Sequence, residues 1–178
     1  MFVVEDESRA RARGALPLAY ILGSGSTQDA WRATAPRPDG ASARAAMTQC
    51  LRRAGLSATA VDYINAHGTG TPLNDPAEAR AIRGALGVHT DRVAVSSIKG
   101  AVGHLMAASG AIELAACLLP VVKRVLPGTA NHRERDPECD LDVIGEAPRD
   151  ASNVTVMLSN SFGFGGQNVT VALARSLP

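Results

Sequence analysis

The 178-residue sequence predicts an α/β fold with a mixed five-stranded sheet and helices on its faces. Short apolar runs alternate with segments of helical periodicity and are followed by two final strands, an order typical of mixed sheets. Residues 105–119 add a second observation. Ser109 and Glu113 are their only polar side chains, so the predicted helix lacks a polar face. One layer of sheet and helices cannot cover such a helix all round, and we expect a second protein body to cover it.

Charge and composition exclude several classes of function. The net charge is +1, which argues against a nucleic-acid partner or a basic membrane-binding patch. Residues 105–119 contain Glu113 and precede Pro120, so they make a poor membrane span. We therefore expect neither a nucleic acid nor a membrane as partner.

The cysteines and the first residues predict a cytoplasmic protein. Cys50, Cys117 and Cys139 form an odd number without a paired spacing, and two of them lie in apolar helical patterns. Reduced, buried thiols of cytosolic proteins show this pattern. Residues 1–7 are acidic where an export signal would be basic, so export is not expected.

Two helices are predicted from apolar positions spaced by three and four. They cover residues 42–55 and 76–86, and a glycine ends each. Asp75 is expected to cap the second helix, with Glu78 completing a capping box.

The strands are predicted from short β-branched and apolar runs. The Gly-Ser-Gly-Ser sequence of residues 23–26 is expected to close a strand in a turn, and residues 24–40 to form a loop. The predicted strands are residues 2–4, 16–22, 61–65, 93–97, 154–158 and 169–173.

The most informative stretch, residues 65–76, lies between a strand and the second helix. In it, His67 is followed by Gly-Thr-Gly-Thr. The glycines let the backbone approach a ligand, the threonines supply hydroxyls, and the imidazole can act as acid, base or hydrogen-bond donor. An isolated His-Gly pair is more often an ordinary turn histidine. That interpretation is less favoured here because His104 and a glycine-rich loop follow later strands in matching contexts.

Two further segments follow strands. One runs from Ser97-Ile98-Lys99 to Gly103-His104, and the other, residues 159–168, is glycine-rich and joins the last two strands. A nucleotide-binding loop is excluded for the second, because no helix follows its glycines. A metal site is disfavoured because no two candidate ligands have a close spacing; these ligands would be His67, His104, His132 and Cys139.

Taken together, the three segments resemble the C-terminal signatures of elongating β-ketoacyl-acyl carrier protein synthases. The resemblance implies a thiolase-like fold, made of two similar α/β halves around a central helical layer, of which this chain matches the C-terminal half. It covers residues 1–178, with residues 1–23 as end strands of the preceding half and linker, and residues 24–40 as an entrance loop. The helix after His104 would then pack against the other half.

The resemblance also implies catalytic residues. His67 and His104 would each donate a hydrogen bond to the thioester carbonyl of malonyl-carrier protein and stabilise the enolate formed as carbon dioxide leaves. A helix N-terminus at His104 would keep its ring neutral. Lys99 and Glu113 would form a supporting ion pair near the second histidine, with Lys99 bridging, although a purely structural pair is nearly as well supported for Glu113.

The remaining implied residues surround the substrate. The backbone N–H of Phe164 would complete an oxyanion hole, and its ring would gate the acyl pocket. The residues Asp29 to Thr34 would form a second mobile loop, where Arg32 stands in place of a common histidine. The implied substrate-binding residues are Thr34, Thr69, Thr71, Gly163 and Gly165.

The nucleophilic cysteine of the family matches no cysteine here, so the chain is expected to be inactive alone. A separate N-terminal half would supply it, within a homo- or heterodimer that uses acyl carrier protein. No cofactor is implied, since phosphopantetheine arrives on the carrier protein. The alternatives are a non-catalytic subunit like a chain-length factor, a structural subunit or an inactive truncated relic. The two histidines favour the catalytic interpretation.

Overall fold

The computed structural model describes residues 2–177; Met1 and Pro178, the ends of the predicted domain range, lie outside the described residues. The α-helices are α1 Glu7–Ala12, α2 Ala41–Ala54, α3 Asn74–Leu86, α4 Lys99–Val102, α5 Ser109–Ala116 and α6 Leu119–Val122. Short 3₁₀ segments cover Ala58–Ala60, Gly87–Arg92 and Met106–Ala108. The strands are β1 Tyr20–Gln28, β2 Tyr63–Asn65, β3 Ala94–Ser96, β4 Val125–Leu126, β5 Asp142–Val143, β6 Arg149–Asp150, β7 Val156–Gly163 and β8 Gln167–Ala174.

A mixed sheet forms the centre of the chain, as the sequence predicts. Within the described residues its strand order is β1-β8-β7-β2-β3-β5. The pairs β1–β8 and β8–β7 are antiparallel, whereas β7, β2, β3 and β5 run parallel. The sheet therefore has six strands, where five were predicted. The additional edge strand β5 has only two residues, too few to carry a sequence pattern, and β4 and β6 pair separately.

Alternating side chains of the sheet bury two apolar clusters, one on each face. Tyr63 and Ile64 are adjacent in β2 and belong to different clusters. The first cluster packs against α2 and α3, and the second packs beneath α5 and α6. The first includes Met47, Ile64, Ile82, Val95 and Leu158, and the second includes Tyr63, Cys117, Met157 and Leu173.

The glycines at 23 and 25 do not form the predicted turn, because β1 continues through them to Gln28. They are needed for packing against α2. A Cβ atom on Gly25 would lie 1.9 Å from the carbonyl oxygen of Ala46, and one on Gly23 would lie 2.8 Å from the backbone nitrogen of Ala54. A glycine that permits close helix packing has the same sequence signature as one that permits a turn.

The apolar segment 105–119 forms three short pieces instead of one helix. Met106 has a φ of 52°, which interrupts the segment before α5 begins at Ser109. Within this chain α5 packs on β7 with one side only. Its other side is exposed at Ile112, which is 38% accessible, and Met106 in the preceding 3₁₀ segment is 71% accessible. Cover by a second protein body stays a prediction.

Near the first residues, the predicted strand at residues 2–4 is irregular backbone, and the charged segment that follows forms α1. Among residues 2–177, no helix is long and apolar enough to cross a membrane.

Replacing Gly25 by alanine is expected to destabilise the fold by at least about 1–3 kcal/mol, because the new methyl group overlaps the backbone of α2. Gly163→Ala is the matched control, since its Cβ would meet nothing closer than Gln167 at 3.9 Å. Urea unfolding followed by circular dichroism measures both variants. Equal stability of Gly25→Ala and the unmodified chain would contradict the close packing of β1 on α2.

Candidate active site

A cleft of about 1220 Å³ opens where the parallel strands β2 and β3 and the long strand β7 end. The carboxyl ends of parallel strands meet at one edge of a sheet, so the three sequence segments converge there. The predicted residues that line the cleft are His67, His104, Lys99, Thr34, Thr69, Thr71, Gly163 and Phe164. Gly165 is not among the lining residues, and Glu113 lies beneath the cleft floor.

His67 lies just beyond β2 and is 6% exposed. The ammonium group of Lys99 lies 3.3 Å from its Nδ1 and donates to its backbone carbonyl over 2.5 Å. An ammonium has only protons to offer, so Nδ1 accepts and the ring proton is on Nε2. Burial, the charge of Lys99 and the proximity of His104 lower the pKa of His67 to about 3. The imidazole is therefore neutral at pH 7.

His104 lies between α4 and the 3₁₀ segment Met106–Ala108 and is exposed within this chain. Its Nδ1 accepts the backbone N–H of Met106 over 3.1 Å, so this ring also has its proton on Nε2. Met106 adopts the left-handed φ noted above, a strained geometry often found at functional sites. The expected helix N-terminus is five residues further on, at Ser109. A direct backbone contact therefore replaces the predicted helix dipole.

The two imidazoles contact each other edge to face. Their ring centroids are 5.3 Å apart, with planes at 80°. The ring of Phe162 lies 5.4 Å from that of His67 on another side. Two neutral rings, each with a proton on Nε2, thus lie side by side in one cleft.

Lys99 and Glu113 form the predicted ion pair, with Lys99 8% and Glu113 1% exposed. The pair lies at the first histidine, not at the second as expected, because Lys99 reaches both ring and carbonyl of His67. Glu113 also accepts the hydroxyl of Ser161 over 3.2 Å. The family resemblance placed the pair at His104, whereas Lys99, the first residue of α4, reaches His67.

Glu78 is a buried carboxylate that the sequence analysis assigned to a capping box. The helix α3 begins earlier, at Asn74, with Leu73 in the cap position and no side-chain cap. Glu78 instead accepts the backbone N–H groups of His67 and Gly68, each over 2.9 Å, and the amide of Asn160 over 3.1 Å. It therefore fixes the histidine turn against α3 and β7.

Asp75 does not cap α3 either. Its carboxylate accepts the backbone N–H of Gly70 over 3.2 Å and the side chain of Asn74 over 2.9 Å. The two carboxylates of the predicted capping box, Asp75 and Glu78, therefore hydrogen-bond the turn at residues 67–70 instead of capping the helix. On that turn Thr69 is half-buried and Thr71 is exposed, and their hydroxyls hydrogen-bond each other over 2.9 Å.

The glycine-rich loop between β7 and β8 is hydrogen-bonded to the loop after β1. The N–H of Gly165 donates to the carbonyl of Ala33 over 2.6 Å, and the N–H of Asp29 donates to Gly166 over 2.8 Å. Asn168 donates to the Asp29 carboxylate over 2.8 Å. Phe164, at the tip, is 75% exposed. The two predicted loops are thereby joined, without any contribution from the Arg32 side chain, which lies over Trp31.

None of the cysteines has the environment of a reactive thiolate. Cys50 and Cys117 are fully buried, which raises the pKa of their thiols to about 11 and about 12. Cys139 lines the cleft, but burial and the neighbouring Asp136 raise its pKa to about 12. Among residues 2–177, no group of three or more His, Cys, Asp or Glu side chains could hold a metal ion.

Comparison with known proteins gives consistent relatives. A family model described as "Beta-ketoacyl synthase, C-terminal domain" matches residues 18–133. The 3-oxoacyl-acyl-carrier-protein synthase 2 of Synechocystis sp. is 46% identical over 175 residues, which is 98% of this chain and 42% of that protein. The chain thus spans about two fifths of the length of the curated relatives it matches.

Solved structures of ketosynthases support the same family assignment. A type II PKS acyl-carrier protein in complex with its ketosynthase bound to the hexaketide gives a TM-score of 0.92 at 32% identity, over 96% of this chain and 41% of that chain. The ishigamide ketosynthase/chain length factor gives 0.88 at 36% identity, over 94% and 40%. The predicted C-terminal half of the thiolase-like fold is confirmed.

Replacing Glu78 by glutamine is expected to destabilise the chain by about 1–3 kcal/mol, because an amide would face N–H donors that need a buried acceptor. The exposed Glu138→Gln, whose carboxylate lies 3.7 Å from Arg80, is the control and should change stability by less than about 0.5 kcal/mol. Urea unfolding measures both. Similar effects of the two variants would show that Glu78 does not fix the turn.

His67 is expected to make stability depend on pH. Its pKa is about 3 in the folded chain against an ordinary value of 6.5, so between these values only the unfolded chain binds the proton. Stability should therefore fall as the pH falls from 6.5 towards 3, by up to about 1.4 kcal/mol per pH unit. Urea unfolding at pH 7 and pH 4.5 measures this loss, which should be smaller in His67→Gln than in the unmodified chain. His132→Gln controls for removal of a histidine; equal losses in His67→Gln and the unmodified chain would refute the effect.

Proposed function

The chain belongs to the β-ketoacyl synthase family through its C-terminal domain, and we propose that it supplies the histidine pair and gating loop of a decarboxylative condensing site. A separate N-terminal half would supply the nucleophilic cysteine. The single observation that carries this proposal is the state of the two imidazoles. Both are held by donors at Nδ1, so both present an Nε2 proton to one cleft.

Two neutral N–H donors suit the stabilisation of a developing oxyanion. When the malonyl thioester loses carbon dioxide, the electrons of the broken C–C bond move into an enolate whose charge lies on the thioester oxygen. The Nε2 protons of His67 and His104 would hydrogen-bond this oxygen. An imidazolium at either position would be a stronger acid and would protonate the enolate more readily.

The enolate carbon then attacks the acyl group carried as a thioester on the cysteine of the other half. A new C–C bond forms, the C–S bond breaks, and the cysteine leaves as a thiolate. The product is a β-ketoacyl thioester on the carrier protein. In this reaction the chain itself would orient the malonyl group and stabilise the negative charge on the enolate oxygen. Burial, together with the charge of Lys99, keeps His67 neutral, and Lys99 holds it in the correct tautomer.

The proposed need for a second half is supported by the cysteines and by the length of the relatives. The thiols of Cys50 and Cys117 are buried, and all three cysteines are protonated at pH 7 because their pKa is raised. The curated relatives are more than twice as long as this chain. The exposed apolar side of α5 is the surface on which we propose that the N-terminal half packs.

Substrate entry is assigned to the mouth of the cleft. Thr69 and Thr71 would offer hydroxyls to the amide groups of phosphopantetheine, and Thr34 lines the same cleft. Phe164 would gate the acyl group with its ring and complete the oxyanion hole for the acyl-cysteine with its backbone N–H. Gly163 and Gly165, on either side, would serve as the hinge.

The proposed partners follow from this chemistry. Acyl carrier protein delivers the substrate, and the assembly is a homo- or heterodimer of complete synthase units. A ketosynthase in a related solved structure is bound to an acyl-carrier protein, which supports this partner. No cofactor is proposed, since phosphopantetheine belongs to the substrate. The proposed compartment is the cytoplasm, in keeping with three unpaired cysteines.

A second candidate is a non-catalytic subunit. It is favoured by one observation, the likeness to a ketosynthase/chain length factor. Such a subunit needs no donor pair, whereas here two histidines, a buried ion pair and Glu78 maintain the donor geometry. The condensing site is therefore the better supported proposal.

The proposal is tested by mixing the chain with an N-terminal half that has a cysteine at a strand-to-helix turn. We expect condensation of malonyl-carrier protein with an acyl thioester only in the mixture. His67→Ala and His104→Ala should each lower the rate by about 10²–10³-fold, as expected for loss of an oxyanion donor. His89→Gln is the control, since His89 lies outside the cleft and contacts the carbonyl of Val61.

A complex that forms without activity would favour the non-catalytic subunit. A folded chain that binds no such half would overturn the split-site proposal altogether.

A further inference from the structure

Ser109 is the first residue of α5 and is only 5% exposed. Its hydroxyl oxygen lies 2.9 Å from Nδ1 of His104 and accepts the backbone N–H of Leu105 over 3.0 Å. The N–H of Met106 already requires that Nδ1 act as an acceptor. The hydroxyl must therefore be the donor in its contact with the ring. The single lone pair of Nδ1 in His104 is thus shared by two donors, one from the backbone and one from a side chain.

The two histidines differ in how they are kept in one tautomer. His67 is buried and has the ammonium of Lys99 at its Nδ1. His104 is exposed within this chain and has no side-chain cation at its Nδ1. A hydroxyl that is itself held by a backbone N–H is the only side-chain group hydrogen-bonded to that ring among residues 2–177. Ser109 therefore provides the side-chain hydrogen bond to Nδ1 of His104, as Lys99 does to Nδ1 of His67.

We propose that Ser109 is a positioning residue, whose hydroxyl holds the ring of His104 with its Nε2 proton directed into the cleft. The inference rests on the proposed function, which it extends to a residue outside the histidine pair. A hydrogen bond accepted at Nδ1 draws electron density away from the ring. The Nε2–H group is thereby more strongly polarised and becomes a better donor. The tautomer itself is set by the backbone N–H of Met106, since a hydroxyl can either donate or accept.

The hydroxyl contributes through the transition state rather than through substrate binding. Its loss should lower kcat by roughly three- to tenfold, the effect of one ordinary hydrogen bond, and leave the KM for malonyl-carrier protein unchanged. A merely structural contribution of Ser109 would change stability without this separation of kcat from KM.

The decisive comparison is between Ser109→Thr and Ser109→Val. These side chains have the same shape and differ in the hydroxyl, so any overpacking affects both equally. In the mixed assay, Ser109→Thr should keep the kcat of the unmodified chain, and Ser109→Val and Ser109→Ala should lower it by roughly three- to tenfold. Ser42→Ala, near the start of α2, controls for the removal of a helix hydroxyl. Equal kcat for the threonine and valine variants would overturn the proposal.

A second measurement does not depend on activity. The ¹⁵N resonance of Nδ1 in His104, recorded on the folded chain, reports whether this nitrogen is bare and how strongly it accepts. We expect an unprotonated, hydrogen-bonded Nδ1 in the unmodified chain and in Ser109→Thr, and a shift towards a free imine nitrogen in Ser109→Val. An Nδ1 that is protonated, or that is unaffected by the valine, would overturn the inference. If the mixture proves inactive but these shifts appear, the proposed function fails and the contact stands.

Discussion

The buried ammonium of Lys99 is the interaction on which the site depends. It joins the first turn of α4 to Glu113 in α5 and to both the ring and the carbonyl of His67. A buried pair of this kind adds little net stability when intact, but loss of one partner leaves an uncompensated charge that costs about 3–5 kcal/mol. The same contact sets the tautomer of His67. Folding and chemistry are therefore coupled through one side chain.

The sheet explains why these groups converge. The parallel strands β2 and β3 have three residues each, and a polar residue ends both, Asn65 and Ser96. The turns beyond them bring His67 and Lys99 together, and β7 brings Phe162 beside the same ring. Carboxylates then hold the turn from the helix side, as Glu78 does. The short strands and the anchored turns that follow them give the site a rigid base, and the two exposed loops lie beside it.

Much of this site could be predicted from the sequence, since its motifs lie at the ends of recognisable strands. What could not be predicted depends on contacts between distant residues. The family resemblance implied that Lys99 serves His104, whereas the fold directs it to His67. Glu78 carried the pattern of a cap but bonds a turn ten residues earlier. Gly25 was predicted to lie in a turn, because the sequence alone does not show that α2 packs against its backbone.

The position of β8 has a consequence for how the chain is made. β8 lies between β1 and β7, so β1 has no strand partner other than β8 among the described residues. Asp29, at the end of β1, and its partner Asn168 are 139 positions apart. During translation, the nine-residue edge of β1 therefore cannot pair with β8 until nearly all of the described chain has left the ribosome. Such an edge can pair with other nascent chains, and timely capture by a chaperone would favour the native sheet.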